Sequence, residues 1–119
     1  MSQVNNGGLK LASTKKSKVK IVVIKKMSCK GVYGDNPPCQ LADDFTQECP
    51  VLNVGDGFIV PDTGACPSGF CGWAFAGIQT DITHLRLGGN FPWIKDKGVQ
   101  ICCCTDGLKP VFFKLERME

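Results

Sequence analysis

Eight cysteines in a chain of 119 residues restrict what this sequence can fold into more than any other feature. Thiols at that density serve as disulfide staples, metal ligands, reactive groups or small core hydrophobes, and the compartment decides among these uses. A secretory leader needs an apolar stretch of roughly 7 to 15 residues. Met1 to Lys20 holds Asn, Gly, Ser and Lys with scattered apolar positions, and Ile21 to Ile24 is too short to serve. No stretch approaches the roughly 20 apolar residues of a membrane span. The expectation is a soluble cytoplasmic protein without a membrane partner. Its thiols are kept reduced there, so metal or thiol chemistry is favoured over a covalent framework.

The net charge of +3 conceals a split chain. Eight of the 14 basic residues, Lys10 to Lys30, precede the first acid, Asp35, which leaves 6 basic residues against 11 acidic ones after it. Residues 1–17 read as a flexible basic tail, and 18–119 as a single cysteine-rich domain, in a chain whose 43% hydrophobic content suits one core. A basic arm is one footprint of nucleic-acid binding, but few aromatics interleave with these lysines. Half of them alternate along a strand instead, so a solvated tail is favoured over a nucleic-acid partner.

That strand is Lys18 to Lys26, with Val19, Ile21 and Val23 on one face at period two. Residues 28 to 50 carry glycines, prolines and Cys29, Cys39 and Cys49, the composition of a loop rich in turns. A second strand is expected at Gly57 to Val60, closed by Pro61. The clearest helix enters through Pro67-Ser-Gly and ends at Gly88-Gly89, where glycine suits a left-handed cap. Its stripe of Cys71, Phe75, Ile78, Ile82 and Leu85 is spaced 4, 3, 4 and 3, which predicts one buried face opening on a cysteine. A hairpin then joins Val99–Cys104 to Val111–Arg117 through Thr105–Lys109. Alternation puts Val111, Phe113 and Leu115 inside. In the other arm it groups Val99, Ile101 and Cys103 inward, with Gln100, Cys102 and Cys104 opposite. Trp73 and Trp93 are expected to cover the core.

The fold class that follows is α+β, a small antiparallel sheet of about four strands with one packed helix and a C-terminal hairpin. In that fold Cys66 and Cys71 bracket a helix N-terminus, where free N–H groups favour the thiolate form that binds metal. Cys103 is expected on an adjacent strand facing the same core, and Cys49 lies just before the second strand. Cys49, Cys66, Cys71 and Cys103 are therefore candidate ligands for an iron–sulfur cluster or zinc, both of which take thiolates in roughly tetrahedral array. Dispersed, all-sulfur ligands lean toward iron–sulfur. A rival reading makes Cys71 a helix-activated nucleophile with His84 as base. In a third, free cysteines pack as small hydrophobes, and the protein is a structural subunit that forms a homo-oligomer through a free sheet edge.

The segments Cys49-Pro-Val-Leu-x-x-Gly-x-x-Phe-Ile-Val, Gly69-Phe-Cys-x-Trp-Ala, Gly88-Gly-x-Phe-Pro-Trp and Cys103-Cys-Thr-Asp-Gly-Leu-Lys-Pro-Val-x-Phe-Lys-Leu-Glu-Arg resemble a family of short uncharacterised microbial proteins of about one hundred residues. The resemblance covers residues 18 to 118 and implies no activity. It places Cys49, Cys71, Cys103 and Cys104 in matching motifs, which makes Cys104 an alternative to Cys66 as fourth ligand. The combined expectation is a cysteine-ligated metal protein serving electron transfer or a partner enzyme.

Overall fold

The structure, a computed structural model, describes residues 15–118. Most of the expected basic tail, residues 1–14, lies outside the described residues. Ser17 is already buried, and its amide donates to the Arg86 carbonyl at 2.9 Å.

Six elements follow in order: β1 (Lys18–Lys26), α1 (Cys29–Tyr33), β2 (Gly57–Val60), α2 (Gly72–Arg86), β3 (Val99–Cys103) and β4 (Val111–Met118). The strands form one antiparallel sheet in the order β2-β1-β4-β3, with α2 packed on one face. This is the α+β fold that the sequence implies. Alternation makes β1 a central strand, since Val19, Ile21 and Val23 are almost wholly buried while Lys18 and Lys20 face solvent. The register with β4 shifts between Val23 and Lys25, a bulge that leaves Ile24 exposed.

The α2 stripe packs as its spacing predicts. Phe75, Ile78, Ile82 and Leu85 are buried with Ala74 against Val19, Val23, Phe113 and Leu115 in one core cluster. Each of the large side chains contributes on the order of 1.5–3 kcal/mol by leaving water. Phe70 fills the end of that core, its ring 5.0 Å from Phe58 and 5.4 Å from Phe113. The helix stops where Gly88 takes φ +92° and the Gly89 amide returns to the His84 carbonyl at 2.8 Å. The Arg117 guanidinium then donates to the Leu85 and Gly89 carbonyls, a cation at the negative end of the helix.

Three expectations need correction. The faces of β3 are reversed beyond its first residue. Gln100 pairs with the buried Leu115 and Cys102 with the buried Phe113, whereas Ile101 pairs with Lys114 and Cys103 with Phe112 on the face away from α2. Directly paired residues share a face, so Gln100 is buried, Cys102 packs against the core, and Ile101 and Cys103 are exposed. Trp73 and Trp93 do not cover the core but stand 73% and 70% exposed. The loop after β1 contains α1, capped by the Ser28 hydroxyl, which accepts from the Gly31 amide at 2.9 Å. Five residues are too few for a periodic signal.

Candidate functional site

Three cysteines from three separate parts of the chain line one cavity of about 360 Å³. Cys49 belongs to the loop before β2, Cys71 is the residue that caps the N-terminus of α2, and Cys104 directly follows β3. All three are half-buried and pack against the core cluster. The walls between them are largely apolar, with Leu52, Ala74 and Val111 beneath and Val51 and Trp73 at the exposed mouth. Asp106 and Lys109 complete the lining from the hairpin turn.

Local structure explains how each group is held. The Cys71 backbone is extended (φ −71°, ψ 120°), and its carbonyl accepts from the Phe75 amide at 2.9 Å. Its side chain makes no capping hydrogen bond, which leaves the thiol available to the cavity. Cys104 and Val111 close the hairpin loop: the Cys104 amide donates to the Val111 carbonyl at 3.0 Å, and the Val111 amide lies 3.3 Å from the Cys104 sulfur, which accepts from it. The Asp106 carboxylate accepts from the Leu108 and Lys109 amides, and the Lys109 ammonium reaches the Thr46 hydroxyl at 3.2 Å and stands over the Phe45 ring. Both charges lining the cavity are therefore engaged by neighbouring groups.

Of the expected ligands, Cys49, Cys71 and Cys104 are thus gathered at one cavity. Cys66 is exposed and outside the lining; desolvation first, then the charge of Cys71, pushes its thiol up. Cys103 is not brought to the site, because the β3 register turns it to the opposite face of the sheet. Its neighbour Cys102 points to the core, where burial first, then Asp81 and Cys103, push the thiol up to about 12. Among the described residues no group of three or more His, Cys, Asp or Glu side chains is set to hold a metal ion directly.

The expected partnership of Cys71 with His84 fails on distance. They stand at opposite ends of α2, roughly 20 Å apart at about 1.5 Å of rise per residue. The His84 ring instead lies 3.0 Å through Nε2 from the Asn90 carbonyl and packs edge-on against Phe91. A larger, more open hollow of about 700 Å³ runs over the outer surface of α2 beside His84, but no cysteine or carboxylate lines it. Three cysteines line the smaller cavity instead. Sequence reasoning missed Asp106 and Lys109 as its lining. The proximity of the Thr105–Lys109 turn to the start of α2 is the missing signal, and only the fold supplies it.

No family model, curated protein or solved structure matches this chain in comparisons with known proteins.

Proposed function

We propose that the cavity holds a thiolate-bound metal centre, and within that class an iron–sulfur cluster with Cys49, Cys71 and Cys104 as ligands. The observation that carries this reading is the arrival of three cysteines, from three separate parts of the chain, at one largely apolar cavity. Zinc binds thiolates at about 2.3 Å in a tetrahedron, which demands sulfurs roughly 3.8 Å apart. No such gathering exists among the described residues. A cluster accepts sulfurs spread around a wider void, and a cavity of about 360 Å³ lined by three cysteines supports it. The Val111 amide donating to the Cys104 sulfur is the type of bond that tunes a cluster's potential. Cys66, exposed and five residues before Cys71 in the chain, is the candidate fourth ligand. The exposed Trp73 and Val51 at the mouth suit electron transfer to, or service of, a partner enzyme.

The test is purification without oxygen, with iron, acid-labile sulfide and zinc measured. Iron and sulfide that are lost in Cys71→Ser and Cys104→Ser but kept in Cys102→Ser and Cys103→Ser support the cluster. Stoichiometric zinc favours the single ion, and metal-free folded protein defeats both. One observation favours a second reading: Cys71 faces the cavity with its thiol unbonded at a helix N-terminus, as a nucleophile does. Metal-free protein with Cys71 as its fastest-reacting half-buried thiol supports that alternative, without His84.

A further inference from the structure

Between Cys66 and Cys71 the chain makes a tight turn. The Phe70 amide donates to the Pro67 carbonyl at 3.2 Å, and Gly69 takes φ +83°, the signature of a turn with glycine at its third position. Such a turn folds the chain back on itself, so its two flanking residues become neighbours. Its first and fourth residues, Pro67 and Phe70, lie within about 7 Å of each other, and a disulfide between the cysteines beside them needs Cα atoms roughly 4.4–6.8 Å apart. The flanks here are two cysteines of unequal access. Cys66 is exposed, with only a 3.7 Å contact from its sulfur to the Pro67 carbonyl, whereas Cys71 is half-buried with no side-chain cap bond.

We infer that Cys66 and Cys71 are a reversible dithiol pair whose closure to a disulfide across the Pro67–Phe70 turn withdraws Cys71 from the cysteine cavity. After burial, the charge of Cys71 also reaches Cys66 and helps to push its thiol up. The oxidant is a small-molecule disulfide. Cys66, the accessible thiol, attacks one of its sulfurs as thiolate, forming a mixed disulfide and releasing the first small thiolate. Cys71 then attacks the Cys66 sulfur and expels the second. Two protein thiols are oxidised, one external disulfide is reduced to two thiols, and the protons of the cysteines pass to the leaving thiolates. Any control of metal occupancy by this pair rests on the metal reading above, whereas the disulfide does not.

The experiment treats reduced, metal-free full-length protein with glutathione disulfide, alkylates the remaining thiols, and maps the bonds by mass spectrometry. An intramolecular bond between Cys66 and Cys71 is expected, retained in Cys39→Ser and Cys103→Ser, and reversed by excess glutathione. Cys66→Ser leaves an exposed position changed by one atom, so an unchanged circular dichroism spectrum shows the fold intact while the bond is lost. Full alkylation of both thiols after oxidant, or a bond mapped to another pair, overturns the inference. A second arm offers iron and sulfide to the reduced and the oxidised protein. Uptake by the reduced form alone supports the withdrawal of Cys71, and equal uptake by both overturns it. Absence of uptake by either, with the disulfide formed, defeats the metal reading and the control of occupancy, and leaves the dithiol pair standing.

Discussion

The Trp73 indole donates to the Thr105 hydroxyl across 2.8 Å, fastening the first turn of α2 to the turn between β3 and β4. This contact shapes the cavity, because both segments contribute to its lining. It also explains a glycine within a helix. A Cβ at Gly77 would stand 2.7 Å from the Thr105 methyl group, so the helix can approach the turn only without a side chain there.

Gly77→Ala sets two effects against each other. Alanine is favoured in a helix interior by about 1 kcal/mol, whereas crowding a fixed neighbour costs on the order of 1–3 kcal/mol. Thr105 is held by Trp73 and yields little, so a net loss of about 1 kcal/mol is expected. In a Thr105→Ser background the methyl is gone while the hydroxyl remains, and the same substitution should stabilise. A double-mutant cycle by denaturant melts measures the coupling; additive effects would show that the two residues do not meet.

Ile82→Ala and Ile101→Ala separate the two faces of the sheet. Ile82 is buried in the α2 stripe and Ile101 is 49% exposed. The first should lose about 2–5 kcal/mol as a cavity and the second under about 0.5 kcal/mol. Comparable losses would restore the inward assignment of Ile101.

What the sequence made legible follows the physics of each element. Val19, Ile21 and Val23 alternate with lysines, and the 4-3-4-3 spacing of α2 has a single buried solution, so both could be read directly. In β3, Val99, Ile101 and Cys103 are more apolar than Gln100, and alternation alone turns the wrong face inward. The face is decided by pairing with β4, where the loop of residues 105–110 sets odd positions of one strand against even positions of the other. Gln100 then takes the core face, and its side-chain oxygen accepts from the Ile101 amide at 2.9 Å. A register of this kind is invisible until the loop geometry is known. The cavity was half legible: Cys49 and Cys71 followed from their elements, whereas the choice of Cys104 over Cys103 depended on that parity.

Cys102 carries the largest consequence of that parity for pH. Its thiol is pushed from 9.0 up to about 12 by burial, with Asp81 and Cys103 adding to it. The unfolded chain ionises this group near 9 and the folded one near 12. Its contribution to stability is therefore fully present below about pH 9 and declines as pH rises through that window. The decline attributable to Cys102 should be roughly 1 kcal/mol per pH unit, read as the difference between wild type and Cys102→Val over pH 8.5 to 11. Asp81→Asn should narrow the window from above. Identical slopes in wild type and Cys102→Val would show that the thiol titrates normally.

The two tryptophans distinguish an occupied cavity from an empty one. Both are largely exposed, but Trp73 lines the cavity, while Trp93 sits against Phe91 with ring centroids 5.3 Å apart. In the metal-free protein, Trp73→Phe and Trp93→Phe should each leave one indole that emits at long wavelength and is quenched readily by acrylamide. Filling the cavity with a cluster brings atoms against one face of Trp73 and does nothing at Trp93. Acrylamide quenching should therefore fall in Trp93→Phe, where Trp73 reports, and stay unchanged in Trp73→Phe. Trp73→Phe removes the bond to Thr105, a neutral hydrogen bond worth about 0.5–1.5 kcal/mol, and that is small enough for the variant to remain folded. Equal changes at both indoles would indicate a general tightening of the protein, and a change at Trp93 alone would move the site away from Cys49, Cys71 and Cys104.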